Sequence, residues 1–332
     1  MAKQRIEYID AMRGFTMILV VYSHVCNYCL GDKWMGWNDV FFLFRLPCFF
    51  FISGWLLEPV RESIRAVVKK KFMVQIIPTV IFLLLLAPPP LFFSRLGATK
   101  GGYWFTFALF VSFLLYLFSE RYLKRWGWAF AFVISIAAFC YDIYYNHYFK
   151  DMGLLTQALG FLSFICWRYY LFFFIGTRMK RYFDEFIRFT GKPAVIIAVF
   201  VVFFLFAWHP RSENMIVAYL IFAVGGVLGL TMVFTFFRLF AHHFTKERWL
   251  GRSLQYVGTR TLDIYLLHYF LLPRFLMKYS ETLQDYDSQW LDFFVAMALS
   301  LVVVSGCLLV SYVIRLSPFL GYYLFGVKYE RK

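Results

Sequence analysis

The segment YIDAMRGFTMILVVYSHVCNYCL, Tyr8 to Leu30, is long and apolar enough to cross a bilayer as one helix, yet it contains Arg13 and His24. A cation at the centre of a membrane helix costs roughly 2.5 to 3.5 kcal/mol, so an intramembrane Arg with an ionisable His predicts a functional site. The two positions are eleven residues apart in sequence, which corresponds to a rise of about 16 Å along a helix and a turn of about 1100°, close to three full turns. We therefore expect both side chains on one stripe of the helix, at two depths.

The composition of the whole chain is typical of a membrane protein. Of its 332 residues, 61% are hydrophobic, 23% aromatic and only 16% charged, and the mean hydropathy is +0.64. The first apolar run has no small-residue cleavage site, so we expect a retained helix rather than a signal peptide. The sequence predicts an all-α polytopic integral membrane protein, with a single transmembrane domain over 1–332 and no fused soluble domain.

The apolar runs predict about ten transmembrane helices. Their bounds are 8–29, 39–58, 72–92, 103–119, 127–143, 159–178, 193–209, 215–237, 259–278 and 291–314. The stretch 142–167 is the least clear, because 154–165 fits a short extra helix or a re-entrant helix as well. An odd number of spans would place the two termini on opposite sides of the membrane.

Basic residues are distributed unequally between alternate loops of this arrangement. The side that includes both termini has 24 of the 34 Lys and Arg residues, whereas the opposite side has six. The remaining four lie within or at the rim of spans: Arg13, Arg45, Arg168 and Arg274. Since cytoplasmic loops are rich in Lys and Arg, we expect both termini in the cytoplasm and the protein in the inner (plasma) membrane. The formal net charge of +15 is then topological and does not indicate nucleic-acid binding.

The predicted sides of the membrane give Arg13 and His24 different chemistry. Arg13 lies about a turn into the membrane from the cytoplasm, where a guanidinium suits a phosphorylated ligand. His24 lies near the outer third, where a neutral imidazole could take a proton from an attacking hydroxyl. For a lone membrane histidine, an interhelical hydrogen bond is the alternative. Asp10, one turn before Arg13, could neutralise that Arg or favour the helix macrodipole.

The second predicted span also contains polar and small residues. Arg45 is expected at roughly the depth of His24, where its charge could stabilise a developing oxyanion or hold an acceptor hydroxyl. Ser53 and Gly54 lie deeper in the membrane. Small residues there allow close helix approach, and they also leave room for a thin ligand arm.

Polar groups recur in the ninth span and at the start of the fourth. Asp263 and His268 are about 140° apart around a helix, so we do not expect them to pair. His268, with Tyr265 beside it, could line the same cavity as His24. Trp104 begins a span at the outer interface, where it fits an aromatic belt or sugar stacking.

The six cysteines lie in or at the edges of apolar runs, without a paired metal-ligand spacing near His. Cys26 and Cys29 form a lone C-x-x-C, for which helix packing is a simpler interpretation than a redox or metal role. We therefore expect no metal site.

Taken together, these residues resemble the membrane acyltransferase type 3 family, whose marker is Arg, ten residues and then His in the first span. Arg13 and His24 fit that marker. The resemblance covers nearly the whole chain in the family's order: YIDAMRG (8–14), RLP (45–47), FFISG (50–54), YWF (103–105), FFFIG (172–176) and IYLLH (264–268). Each motif alone is weak in an aromatic-rich chain, but their combination is fairly specific.

The resemblance implies a ten-helix enzyme that uses a central cavity to transfer an acyl group, commonly acetyl, from cytoplasmic acyl-coenzyme A to an extracytoplasmic hydroxyl. The acceptor would be a glycan or another cell-envelope molecule. The candidate catalytic residues are then His24, Arg13 and Arg45. Those for the coenzyme are Arg13, Asp10, Ser53 and Gly54, and those for the acceptor substrate are Arg45, Trp104, His268 and Tyr265.

A different class of protein is also compatible with the buried cation and histidine. A secondary transporter or lipid-linked glycan flippase would use them as an intramembrane relay. For the enzyme, the sequence leaves open the acceptor, acetyl against succinyl or longer acyl groups, and direct transfer against an acyl-His intermediate. Some family members have a fused hydrolase-like domain that completes the transfer. Because we expect no fused soluble domain here, this chain is expected to act alone or with a separate partner protein.

Overall fold

The computed structural model describes residues 6–31, 35–57, 63–86, 100–148, 158–207, 214–280 and 288–327. All regular secondary structure in these ranges is helical, which confirms the predicted all-α class. Its α-helices are labelled in chain order as α1 (Glu7–Cys29), α2 (Met35–Trp55), α3 (Ile64–Leu86), α4 (Trp104–Phe118), α5 (Gly127–Tyr148), α6 (Tyr170–Arg181), α7 (Phe183–Thr190), α8 (Pro193–Ala207), α9 (Met215–Leu239), α10 (Trp249–Thr259), α11 (Thr261–Leu271), α12 (Gln289–Arg315) and α13 (Pro318–Phe325).

Four helical stretches of the described residues are long and apolar enough to cross a membrane, and one of them, Trp104–Ile143, includes α4, most of α5 and two short helical segments between them. The four stretches are Glu7–Cys29, Trp104–Ile143, Ile216–Leu239 and Gln289–Arg315. The helices α7 and α8 meet the same criterion as a pair, with a bend of 80° between them. In α3 the three consecutive lysines 69–71 interrupt the apolar run. These helices support a membrane protein, and the figure of ten spans stays a prediction.

Several predicted spans differ from the helices in their bounds. The helix α3 begins at Ile64 rather than at 72, and residues 87–92 of that predicted span lie outside the described residues. The predicted span 159–178 contains a 3₁₀ segment, Phe164–Tyr169, followed by α6. Of the uncertain stretch 154–165, residues 154–157 also lie outside the described residues.

Residue contacts divide the chain into two compact units. The first comprises Met1–Phe49, Tyr182–Arg211 and Leu220–Val313, and the second comprises Phe50–Arg181, Ser212–Tyr219 and Ile314–Lys332. All of α1, α10 and α11 belongs to the first unit. Most of the predicted site residues therefore lie in the first unit, whereas Ser53, Gly54 and Trp104 lie in the second.

In the first unit, α1 is buried along most of its length. One face packs on α9, through Tyr8 against Phe234 (ring centroids 6.0 Å apart) and Phe15 against Phe237 (5.6 Å). Tyr8 and Phe15 are two helical turns apart and project from the same face. This aromatic contact covers the face of α1 that lies away from Arg13.

A second face of α1 crosses α10 at two glycines. A Cβ atom on Gly14 would lie 2.0 Å from the carbonyl oxygen of Leu254, and one on Gly258 would lie 2.0 Å from the carbonyl oxygen of Asp10. Both helix backbones therefore touch, which only glycine permits. This crossing fixes α10 beside the residues that flank Arg13.

The ninth predicted span, 259–278, is wrong as a single helix. The helix α11 begins at Thr261 and ends at Leu271, and it is followed by a 3₁₀ segment, Arg274–Tyr279. Pro273 explains the break, because proline disfavours α-helical geometry in the preceding residue. Leu272 is accordingly extended, with ψ 124°.

In the second unit, the end of α2 crosses α6 at another glycine pair. A Cβ atom on Gly54 would lie 2.0 Å from the carbonyl oxygen of Phe173, and one on Gly176 would lie 2.1 Å from that of Phe51. The Phe50 ring stacks on Tyr169 (centroids 5.1 Å apart), and Tyr169 stacks on Trp104 (6.0 Å). Close backbone packing and a column of aromatic rings thus hold this region together.

A buried lysine joins the 3₁₀ turn before α4 to the chain near 160. Lys100 is 1% exposed, and its ammonium group donates to the carbonyl oxygen of Phe161 at 2.7 Å. Burial lowers the pKa of Lys100 to about 8, because an apolar environment disfavours its charged form. The carbonyl contact compensates part of that cost.

Candidate active site

His24 lies within a cluster of aromatic side chains in the first unit. Its ring centroid is 4.9 Å from that of His268, 5.0 Å from that of Tyr269 and 5.7 Å from that of Tyr28, which is stacked on it. The Tyr269 hydroxyl lies 3.4 Å from His24 Nε2. Tyr28 is one turn after His24 on α1, and α11 supplies the other two rings. The predicted proximity of His24 and His268 is therefore present in the structure.

The backbone of α11 determines the tautomer of His268. Its Nδ1 lies 2.7 Å from the carbonyl oxygen of Tyr265 and 3.1 Å from that of Ile264. Because carbonyl oxygens only accept hydrogen bonds, Nδ1 must bear a proton. In the neutral ring, Nε2 then has the free lone pair, and it has no hydrogen-bond partner among the described residues. His268 thus presents a buried acceptor beside His24.

The two nitrogens of His24 have different surroundings. Nε2 faces the Tyr269 hydroxyl, whereas Nδ1 is buried without a hydrogen-bond partner in the part of the chain that the structure describes. A proton on Nε2 can be donated to Tyr269 and leaves a lone pair on Nδ1. A proton on Nδ1 would instead be a buried donor without an acceptor, which is costly. The geometry therefore favours Nδ1 as the basic nitrogen.

Arg45 is buried close to this cluster. The residue is 8% exposed, and its guanidinium donates to Asn38 Oδ1 at 2.8 Å and lies 5.4 Å from the centroid of the Phe42 ring. The positive charge of Arg45 acts electrostatically on His24. The expectation from sequence that Arg45 lies at roughly the depth of His24 stays a prediction.

Arg13 lies on the same helix as His24, towards its start. Its side chain is partly exposed, with the guanidinium carbon 5.9 Å from the Phe49 ring centroid. Asp10, one turn earlier, is 3% exposed. Both residues occur where α10 crosses α1, because the Gly258 contact involves the carbonyl of Asp10. The start of α1 thus has a buried carboxylate beside a partly exposed cation.

The predicted residues of the second unit have other neighbours. Gly54 lies against the backbone of Phe173, so helix packing accounts for this glycine, and Ser53 beside it is partly exposed. Trp104 is partly exposed and stacks on Tyr169, which is 2% exposed. Trp104 is therefore one end of the column of stacked rings that it forms with Tyr169 and Phe50.

Three residues near His24 were not assigned a role from the sequence: Tyr28, Tyr269 and Arg274. The Arg274 guanidinium lies 5.7 Å from the Tyr28 ring centroid, and its Nη2 donates to the Tyr269 carbonyl at 3.4 Å. The signal that could have identified Tyr28 is its spacing of one helical turn from His24. Arg274 was counted among the cations at the rim of spans, but its position follows from the break at Pro273, which the pattern did not predict.

Long apolar helices, with the partly exposed His24 beside the buried His268 and with the buried Arg45, support a helical membrane protein with ionisable groups in its interior. A family model described as an acyltransferase domain matches residues 6–315, nearly the whole chain, so the chain belongs to the acyltransferase 3 family. The protein is therefore a membrane acyltransferase in the general sense. No curated protein and no solved structure matches the chain.

Proposed function

We propose that this protein is an integral membrane O-acyltransferase that uses acyl-coenzyme A, with acetyl as the expected acyl group. The acceptor is a hydroxyl of an extracytoplasmic glycan or another cell-envelope molecule. The main support is His24, whose buried Nδ1 has no partner among the described residues while Nε2 faces Tyr269. An imidazole oriented by one nitrogen and free at the other is the arrangement that general base catalysis needs.

The proposed reaction is a direct transfer. His24 Nδ1 takes the proton of the acceptor hydroxyl as its oxygen attacks the thioester carbonyl carbon, giving a tetrahedral oxyanion. The carbon–sulfur bond then breaks, the new ester leaves with the acyl group, and the thiolate takes the proton from His24 to give coenzyme A. In the alternative, His24 itself attacks and forms an acyl-imidazole, which the acceptor then cleaves.

The other residues have supporting roles in this proposal. The charge of Arg45, close to His24, stabilises the oxyanion or holds the acceptor hydroxyl. His268 accepts a hydrogen bond from the acceptor through Nε2, and Tyr265 fixes the His268 ring through its carbonyl. Arg13, with Asp10 beside it, binds the phosphates of the coenzyme.

The rise between Arg13 and His24, about 16 Å of helix, is similar to the length of a phosphopantetheine arm. The protein would lie in the inner membrane with both termini in the cytoplasm. The phosphates of the coenzyme would then stay at the cytoplasmic side while the thioester reaches His24. Gly54 is left out of this coenzyme site because helix packing accounts for it. Ser53 and Trp104 stay candidates for coenzyme and acceptor contacts respectively.

The experiment that separates this enzyme from a transporter uses the purified full-length chain in lipid vesicles. Radiolabelled acetyl-coenzyme A is supplied on one side with a mixture of envelope glycans on the other, and both free thiol and labelled glycan are measured. Thiol release coupled to label on glycan supports the proposal. Movement of solute without thioester turnover would contradict it. Mass spectrometry of envelope glycans from cells with and without the gene then identifies the acceptor.

A further inference from the structure

The helices α10 and α11 follow the stripe of α1 that contains Arg13 and His24. Around α1, Asp10, Gly14, Arg13 and His24 all lie within an arc of about 100°. The α10 contact is at Asp10 and Gly14, and the α11 contact is at His24. One continuous stretch of chain therefore accompanies the stripe from its Arg end to its His end.

Arg260 lies at the break between these two helices. Its backbone (φ −116°, ψ 23°) ends α10 and begins α11, two residues after the Gly258 contact with α1. Its guanidinium carbon lies 3.8 Å from the centroid of the Tyr256 ring, which is stacking distance. A cation is thus positioned two residues from the crossing that involves Asp10 and Gly14, the residues that flank Arg13.

The guanidinium of Arg260 has no hydrogen bond and no ion pair within the part of the chain that the structure describes. It is only partly exposed, and its Nε is buried without a partner. Asp263, the carboxylate three residues further along the chain, accepts a hydrogen bond from the Ser311 hydroxyl. A half-buried cation without an anion is costly, so this position favours an anionic ligand.

We propose that Arg260 and Tyr256 form the subsite for the nucleotide end of the coenzyme, an adenosine bearing phosphate and pyrophosphate groups. The inference rests on the proposed function above. The planar fork of Arg260 binds phosphate oxygens, and Tyr256, 40% exposed, offers its outer ring face to the adenine. Arg260 then acts with Arg13 at the start of the stripe that leads to His24.

The test compares two donors in the full-length protein in phosphatidylcholine nanodiscs. S-acetylpantetheine has the thioester and the arm of acetyl-coenzyme A but lacks the nucleotide and all its phosphates. For Arg260→Ala, we expect the KM for acetyl-coenzyme A to rise about tenfold, as for one lost charged hydrogen bond, and turnover of S-acetylpantetheine to stay unchanged. Tyr256→Ala should have the same selective effect, and Arg260→Lys a smaller one.

Arg238→Ala is the matched control. Arg238 is also partly exposed with a buried Nε that has no partner among the described residues, but its Nη2 donates to the Thr190 carbonyl. It lies on α9, which packs on the face of α1 about 150° from the stripe. The KM of the Arg238→Ala variant for acetyl-coenzyme A should change less than about twofold, because substitutions at the surface away from a site have small effects.

The outcomes separate this inference from the proposed function. An unchanged KM for Arg260→Ala, or an equal loss for both donors, would overturn the nucleotide subsite while leaving the enzyme intact. An effect that appears only in nanodiscs with phosphatidylglycerol would overturn it in favour of a lipid phosphate. Absence of turnover of both donors by the unmodified protein would instead reject the proposed function. Thermal unfolding of each variant excludes misfolding as the cause.

Discussion

His24 owes its chemical character to neighbours that hold its ring and leave one nitrogen available. Tyr269 contacts Nε2, Tyr28 stacks on the ring, and the buried His268 presents a lone pair nearby. In a water-poor interior each of these contacts is stronger than at the surface. In the proposed mechanism, the acid–base groups are therefore arranged before any substrate binds.

Removing the Tyr269 hydroxyl tests its role as a positioning residue for His24. In Tyr269→Phe, Nε2 loses its partner and the tautomer with a proton on Nδ1 becomes as stable as the productive one. We expect kcat for acetyl transfer to fall about tenfold with little change in KM, as for one lost hydrogen bond. Tyr28→Phe is the control, because no hydrogen bond of the Tyr28 hydroxyl is present among the described residues. Equal effects of both changes would argue against the positioning role.

The two nitrogens of His268 can be tested separately. Asn places an amide NH where Nδ1 donates to the α11 carbonyls, whereas Gln places its amide where Nε2 faces His24. If Nε2 accepts a hydrogen bond from the acceptor, His268→Asn should fold normally but raise the KM for the acceptor about tenfold, and His268→Gln should retain more affinity. The KM for acetyl-coenzyme A should be the same in both. An acceptor KM that is larger for His268→Gln than for His268→Asn would contradict this role.

At the scale of single elements, the glycine crossing of α1 and α10 is the most constrained contact of the first unit. A methyl group on Gly14 or Gly258 would overlap a carbonyl oxygen of the other helix, 2.0 Å away. Gly14→Ala and Gly258→Ala should therefore destabilise the protein by roughly 1 to 3 kcal/mol, although alanine has the better helix propensity. Thermal unfolding in detergent measures the effect.

Gly306→Ala is the matched control for this crossing. Its new Cβ atom would lie 3.5 Å from Leu271 Cδ1, an ordinary contact, so the gain in helix propensity should dominate. We expect its unfolding temperature to stay the same or rise slightly. A fall as large as that of Gly14→Ala would mean that helix glycines matter for a reason other than the close crossing.

Helical periodicity predicted where side chains of one element lie, but not how elements meet. The spacing of Arg13 and His24 placed them correctly on one stripe, because helix geometry alone decides it. The partner residues Tyr269 and Arg274 depend on the break of α11 at Pro273 and on how α11 packs against α1. The contact of Gly54 with Phe173 likewise needed the path of a second helix, since a small residue alone does not distinguish packing from ligand space.

For the whole molecule, the unequal distribution of basic residues predicts the orientation. With 24 Lys and Arg on the side of the termini and six on the other, a C-terminal fluorescent protein that folds only in the cytoplasm should be bright. A C-terminal alkaline phosphatase, active only outside the cytoplasm, should be inactive. Active phosphatase would place the C-terminus outside the cytoplasm and contradict the predicted orientation. Cysteine labelling of single-cysteine variants along 142–167 would then locate the additional or missing span.

The central claim is that His24 performs acyl transfer, and its removal is the most direct measurement. Thiol release from acetyl-coenzyme A by the purified protein, with acceptor glycan present, is compared for the unmodified chain, His24→Ala and His242→Ala, an exposed histidine outside the site. We predict that His24→Ala lowers the rate by about 10²- to 10⁴-fold, as for loss of a general base, while His242→Ala changes it little. Unchanged turnover by correctly folded His24→Ala would contradict the account.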